Sequence, residues 1–409
     1  MPKHACIFNE SPIRLWGLTS RQRLERVLER SGITDLTENP ESLPAGESVL
    51  LIHGGYLYDE RVIDTLAKTN HVILRAGRPG KQAPVAASVP AELAAQVLAI
   101  IRGTSPADTS LTDIRVETPE SLCSSYNQRL RKSDPPFVLP ITRENQRDLE
   151  KRLFSSSYKG VTDLITKWAW PRPAQWCTRV CARYGIRPNH VTIVSLVLVI
   201  IAGILFAYGQ FLWGLVPGWL MTFLDTVDGK LARVTVTSTR FGHFFDHLID
   251  LFHPPAWYVA WGMGLGVSYV VLPKLSLDLV IWVIIIGYIA GRLIELTFKQ
   301  CLGSFGIFCW QPVDSYFRLI TARRNPNLIL LTASAVAGRP DAGLLAVAIW
   351  TSLTSLFMLI RLGAGIMTRI VSGPLHSWLV DIDKGDYDRT LAAKVFGRRE
   401  STRPMDGHA

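Results

Sequence analysis

DTVDGKLARVTVTSTRFGHFFDHLID, residues 225–250, decides how this chain is to be read. Asp225 and Asp228 are three residues apart, Asp246 and Asp250 four, so on helices each pair lies along one face. Hydrophobic stretches carry both pairs, about 212–233 and 244–266. The connection Val234–Phe241 is short, which makes the two helices antiparallel neighbours and lets the pairs converge. Ionised groups at membrane depth are costly and mark functional sites by default. Four converging carboxylates repel one another unless cations neutralise them. All-oxygen donors favour Mg²⁺ or Mn²⁺, ions able to hold a diphosphate and to neutralise charge on a leaving phosphate. Gly229, Ala232 and Gly242 permit close helix approach, and Arg233 is a natural phosphate partner.

Four further hydrophobic stretches, about 191–208, 278–298, 324–338 and 343–366, complete a set of six. Most reach the ~20 residues needed to cross ~30 Å of hydrocarbon; the fifth is short. The connections after spans one, three and five hold only Lys274 and Arg339 as cations. Those after spans two and four hold Arg233, Arg240, Lys299, Arg318, Arg323 and Arg324. The positive-inside rule then places the N-terminal region, the acidic site and the C-terminus in the cytoplasm.

Composition agrees with a soluble part joined to a membrane part: 409 residues, 48% hydrophobic, 19% charged, with net charge +10. The basic balance is concentrated: Lys151–Arg187 carries eight Lys/Arg against one acid, Asp163, together with Trp168, Trp170 and Trp176. Such a segment suits the membrane interface and anionic headgroups. No nucleic-acid motif accompanies it, and nucleic acid is not an expected partner. The N-terminus, MPKHACIFNESPIRL, has no apolar signal core. The six cysteines show no metal-ligand spacing.

Residues 1–125 read as a small α/β domain. Strands fall at His4–Phe8, Val49–Ile52 and Val72–Leu74, and helices at Arg21–Arg30, Arg61–Lys68 and Ala91–Arg102. The alternation predicts a parallel sheet. The expected order is therefore a cytosolic α/β domain (1–125), a linker (126–150), a basic interfacial helical segment (151–187), an α-helical membrane bundle of six transmembrane helices (188–370) and a mobile cytosolic tail (371–409).

The acidic stretch matches, without a departure, the pattern D-x2-D-G-x2-A-R-x8-G-x3-D-x3-D of the CDP-alcohol phosphotransferase family. Pro188-Asn189-His-Val-Thr192 resembles the PN-x-x-T that opens the first span in many members. The resemblance covers roughly 185–370. It implies that Asp225, Asp228 and Asp246 hold two divalent ions and that Asp250 helps ligate them or takes the proton from the attacking hydroxyl. Gly229, Ala232, Arg233 and Gly242 would line the CDP pocket, with Asn189 and Thr192 touching the nucleotide. The implied partners are a CDP-linked donor, a lipid or alcohol acceptor, membrane lipids and a second copy of the chain in a homodimer. The implied location is a bacterial inner membrane. Arg292 and Arg361 are candidates for a donor or acceptor phosphate, Arg292 having Glu295 as its rival partner. Arg318, Arg323 and Arg324 read as phosphate ligands or positive-inside anchors. His247 is either an aid to proton transfer or a structural histidine. The sequence Phe245-Asp246-His247-x-x-Asp250 resembles choline and ethanolamine phosphotransferases more than phosphatidylglycerophosphate synthases.

Ser48–Asp59 resembles the strand and loop of nucleotidyltransferases. In active members that strand ends in Gly-Asp; here Gly54-Gly55 stands there, and the glycine-rich phosphate loop with its following Lys is blurred over Phe8–Arg21. A degenerate, non-catalytic domain is expected. The fusion resembles archaeal inositol-phosphate lipid enzymes, which keeps a bifunctional enzyme that also makes the CDP-alcohol as the alternative. A transporter with an acidic ion site, the alternative of another class, would need polar residues through both leaflets, and the outer halves of the spans are apolar.

Overall fold

In the buried run Val49–Ile52, alternate residues serve opposite layers. Leu50 and Ile52 pack with Leu24, Leu28, Val62 and Leu66, whereas Val49 and Leu51 pack with Cys6, Val97, Leu98 and Ile101. The computed structural model describes residues 2–78, 80–105, 113–238, 240–266, 275–382, 387 and 390–397, without the side chains of Arg240, Phe241, His243 and Asp246. It divides into two units. The first comprises Met1–Asn127, Asp134–Ser157 and Arg233–Thr237, the second Gln128–Ser133, Tyr158–Ala232 and Ser238–Ala409.

The first unit is built on strands β1 (His4–Phe8), β2 (Asp35–Leu36), β3 (Ser48–His53), β4 (Tyr56–Tyr58), β5 (Val72–Arg78), β6 (Lys81–Pro90) and β7 (Arg115–Glu117). Six of them form a sheet of order β2-β1-β3-β6-β5-β7. Helices α1 (Ser20–Arg30) and α2 (Glu60–Leu66) supply one covering layer, and α3 (Ala91–Arg102) the other. The sheet is mixed, not parallel. β6 runs antiparallel to both β3 and β5, while β1–β2, β1–β3 and β5–β7 are parallel. The sequence reading missed β6 because its alanines and Pro84 score poorly as strand. The register slips between Leu74 and Arg75, beside the Arg75–Pro84 pair, where proline offers no ladder donor.

Residues 134–150 are not a free linker. After the short α4 (Pro119–Leu122), the strand Val138–Pro140 pairs antiparallel with β4, and α5 (Gln146–Ser156) packs back on the unit. Trp16 stacks on Phe154 and its indole donates to the Glu150 carbonyl at 3.0 Å. Arg152 pairs with Asp134 at 2.9 Å.

The second unit is mostly helical: α6 (Pro171–Arg183), α7 (Pro188–Ala207), α8 (Phe211–Val234), α9 (Arg240–Leu265), α10 (Leu277–Cys301), α11 (Pro312–Ile320), α12 (Arg324–Val336) and α13 (Pro340–Ser372). A helix lies at each of the six expected hydrophobic stretches. By length and composition α7, α10 and α13 are long and apolar enough to cross a membrane. α12, with 13 residues, extends only about 20 Å. Their outward faces are apolar: Ile193, Ile200 and Ile204 on α7, and Trp282, Ile286 and Leu293 on α10, are all more than half exposed, as befits a surface that meets lipid.

Indole donors tie the helices together. Trp257 donates to the Val199 carbonyl at 2.9 Å, Trp261 to the Pro340 carbonyl at 3.0 Å and Trp219 to the Thr332 hydroxyl at 2.9 Å. Where α9 meets the end of α7, a Cβ on Gly264 would lie 2.0 Å from the Phe206 carbonyl oxygen, so only glycine permits the approach.

The expectation of a mobile tail fails over its described part. α14 (Trp378–Asp381) and α15 (Leu391–Phe396) bury Trp378, Leu379 and Phe396. Trp378 donates to the Ser315 hydroxyl at 3.0 Å, and Lys167 lies over the Phe396 ring at 4.9 Å. A few large apolar residues outweigh the polar composition around them.

Candidate active site

Two of the acidic residues meet on one cation. Arg324, the first residue of α12, donates from Nη1 to Asp250 Oδ1 at 2.7 Å and from Nη2 to Asp225 Oδ2. Asp225 comes from α8 and Asp250 from α9, so the two helices do aim carboxylates at a common point. Asp228, one turn after Asp225, is buried at 4% exposure, and its Oδ2 accepts a hydrogen bond from the Thr192 hydroxyl of α7 at 2.7 Å. The expected fourth member, Asp246, lies on α9, but its side chain is outside the described residues. Among those residues no group of three or more His, Cys, Asp or Glu gathers closely enough to hold a metal.

The donor set nevertheless fits a hard divalent ion. Every candidate ligand is a carboxylate oxygen, and Asp225 and Asp250 approach so closely that a single guanidinium serves both. A positive charge belongs between them.

Around this pair the helices are braced. The Tyr288 hydroxyl donates to the Leu251 carbonyl at 3.1 Å, and Arg292 Nη2 donates to that hydroxyl at 3.1 Å. Arg292 therefore supports the α9 backbone beside Asp250. It also lies 3.9 Å from Glu295, whose closer partner is Arg323. The buried Lys230 ammonium of α8 sits 3.2 Å from the centroid of the Tyr158 ring.

Other expected site residues are placed as follows. Thr192 reaches the site through Asp228. Asn189 is exposed on the first turn of α7. Gly229 and Ala232 lie on α8 beyond Asp228, Gly242 lies in the first turn of α9, and His247 is exposed on α9. Arg233 lies in the Arg233–Thr237 segment that clusters with the first unit. Arg361 is occupied: its Nε donates to Asp314 Oδ1 at 2.6 Å and its Nη2 to Gln311 Oε1 at 2.7 Å.

Arg324, Asp163 and Asn325 were not singled out from the sequence as site-forming. Loop charge alone accounts for Arg324, like Arg318 and Arg323, as a positive-inside anchor. Only the fold shows it turned onto the carboxylates. Asp163, 7% exposed, accepts from the Thr166 amide at 3.0 Å, the Thr166 hydroxyl at 2.9 Å and Asn325 Nδ2 at 2.9 Å. Burial raises its proton affinity, but Arg318 and these donors outweigh burial and hold the carboxyl below its ordinary value. Burial in turn lowers Arg318 to about 10.

Residues 186–304 match the family CDP-alcohol phosphatidyltransferase, so the resemblance carried by the acidic motif stands. Over 89 residues, 20% of this chain, the sequence is 34% identical to a phosphatidylinositol phosphate synthase of Mycobacteroides abscessus, covering 40% of that relative. It is 32% identical over 96 residues to the archaetidylinositol phosphate synthase of Pyrococcus horikoshii, covering 23% of this chain and 50% of the relative. The chain thus spans half or less of the length of these relatives. Among solved structures, the phosphatidylinositol phosphate synthase of Mycobacterium tuberculosis with CDP-DAG bound aligns over 47% of this chain and 94% of that one, at 20% identity and a TM-score of 0.36.

Proposed function

We propose that this chain is an integral membrane transferase of phospholipid synthesis, moving a substituted phosphate group from a CDP-linked donor to an alcohol hydroxyl with release of CMP. The observation that carries the reading is the junction of Asp225 and Asp250 on one cation, inside the segment that matches CDP-alcohol phosphatidyltransferase. The acceptor oxygen bonds to the donor phosphorus distal to cytidine. The bond from that phosphorus to the bridging oxygen breaks, and CMP leaves with the electron pair. Asp250, 36% exposed at its side chain and so open to substrate, receives the acceptor's proton.

Asp225, Asp228 and Asp246 are the residues to hold two Mg²⁺ or Mn²⁺ ions. When bound, such ions neutralise the donor diphosphate and the charge developing on the leaving phosphate. Gly229, Ala232 and Gly242 leave room for the nucleotide, which Asn189 and Thr192 touch. The relatives' names favour a product of the phosphatidylinositol phosphate type over a choline-type one, to which the Phe245-Asp246-His247-x-x-Asp250 stretch is similar. The bundle is read as six-spanning and homodimeric, with the first unit, the site and the C-terminus cytoplasmic.

The first unit is read as non-catalytic. A Cβ on Gly55 would lie 2.7 Å from the His53 ring, whose edge packs on Phe8 and Tyr56. A metal-binding carboxylate at that strand end has no place without displacing the ring.

The test is CMP release by the purified protein over a panel of CDP-linked donors and alcohol acceptors. Asp225→Asn is expected to abolish release while the protein remains folded and inserted. Undiminished release from this variant, or from wild type in excess chelator, refutes the reading.

A further inference from the structure

The residue that joins Asp225 to Asp250 is itself held from outside the bundle. We propose that Asp163, in the segment ahead of α6, is a positioning residue: through Asn325 it fixes the first turn of α12 and hence the Arg324 guanidinium. The assignment rests on the function proposed above and concerns residues of the second unit alone.

Three observations support it. Arg323, at the N-cap of α12, pairs with Glu295 and makes no side-chain cap. The first turn is held by side chains instead: Asn327 donates from Nδ2 to the Tyr258 hydroxyl at 2.7 Å, and Asn325, next to Arg324 and 4% exposed, donates from Nδ2 to Asp163 Oδ1 at 2.9 Å and to the Thr166 hydroxyl at 3.2 Å. Asp163 is the sole acid among eight Lys/Arg in Lys151–Arg187. A buried carboxylate is expensive to desolvate, yet this one is nearly sealed and turned onto α12. The strap that carries it is also fixed on α8. The Trp170 ring packs edge-on against Phe223 at 5.3 Å and Trp219 at 6.2 Å, and Tyr158 covers Lys230. The segment read as an interfacial anchor thus also braces the two helices that supply Asp225 and Arg324.

A pin of this kind has two effects with opposite signs. Arg324 holds Asp225 and Asp250 in register, and a displacement of about 1 Å in such a constellation costs on the order of a hundredfold in rate. The same guanidinium competes with any divalent ion for Asp225 and Asp250. Loosening it therefore slows turnover while making the carboxylates easier for an ion to occupy. General damage to the fold would weaken both.

The experiment compares wild type, Asp163→Asn, Arg324→Lys and the double variant in detergent. It measures kcat and KM for CMP release, and separately Mn²⁺ affinity without donor by electron paramagnetic resonance. Asp163→Asn is expected to lower kcat by roughly tenfold to a hundredfold, with tighter Mn²⁺ binding and little change in donor KM. In the Arg324→Lys background it should add little to either quantity. Should Asp163→Asn fold poorly, Asn325→Ala removes the same link and must give the same pair of changes. Weaker Mn²⁺ binding, or full multiplicative effects of the two substitutions, overturns the assignment. If wild type releases no CMP from any donor, the proposed function falls, and the Mn²⁺ measurement alone still judges the link between Asp163 and Arg324.

Discussion

Thr192→Val isolates one hydrogen bond of the acidic site. The Thr192 hydroxyl donates to Asp228 Oδ2 at 2.7 Å, and the two residues are 8% and 4% exposed. Valine keeps the branched shape and the helix but has no donor. Hydrogen bonds to charged groups contribute about 1.5–3 kcal/mol. At about 1.4 kcal/mol per tenfold, the loss corresponds to roughly ten- to somewhat over a hundredfold in kcat/KM, provided Asp228 must stay where Thr192 holds it. The assay is steady-state CMP release with a Mg²⁺ titration at saturating donor. The expected result is a lower kcat/KM, a higher Mg²⁺ requirement and near-complete rescue by Thr192→Ser, which restores the donor. A Thr192→Val enzyme indistinguishable from wild type in rate and Mg²⁺ titration would show that Asp228 needs no help from α7. The PN-x-x-T stretch would then require another explanation.

Two further outcomes follow from buried carboxylates outside the acidic pair. Arg361→Ala leaves Asp314, 1% exposed at its side chain, buried without its cation, which costs about 3–5 kcal/mol. The expected signature is a lowered unfolding midpoint in detergent, and an unchanged midpoint with a raised acceptor KM would return Arg361 to the substrate. For Asp163, the carboxyl lies below its ordinary value of 3.8, so its ionised form stabilises the fold. That contribution is whole above the unfolded value and is lost as pH falls through the folded one. Unfolding midpoints measured from neutral pH downward should drop on the acid side, and less steeply in Asp163→Asn. Parallel acid limbs for the two proteins would contradict the depressed value.

The six hydrophobic helices were readable because apolar runs of helical length have few other fates, and the observed ends fall within four residues of the expected ones except at the end of α13, which runs six residues further. The facing of Asp225 and Asp250 was readable because helix periodicity and a short connection leave little freedom between α8 and α9. Where two weak signals competed, reading failed. β6 carries Pro84 and a run of small residues, yet it becomes a central strand because β3 and β5 offer it partners on both sides. The stretch 134–150 shows a double proline and little periodicity, yet it pairs and packs because β4 has a free edge and Trp16 takes Phe154 as its stacking partner.

Arg324 marks the limit most clearly. It is 99 residues from Asp225 and 74 from Asp250, and nothing local distinguishes it from Arg323 beside it. Both arginines begin a hydrophobic helix at the basic side of the bundle, where loop charge alone explains them. Their different fates come from helix rotation. Arg323 is the extended N-cap and Arg324 the first helical residue, so the way α12 is rotated leaves Arg323 on Glu295 of α10 and turns Arg324 onto α8 and α9. That rotation is set by packing, with Leu328 and Leu331 of α12 buried in the same core as Trp257 and Val347, and by the anchoring of Asn325. A motif search confined to the acidic helices therefore finds the carboxylates and misses their resident cation. The residues that decide how strongly an ion must compete for this site lie on an element that carries none of the motif.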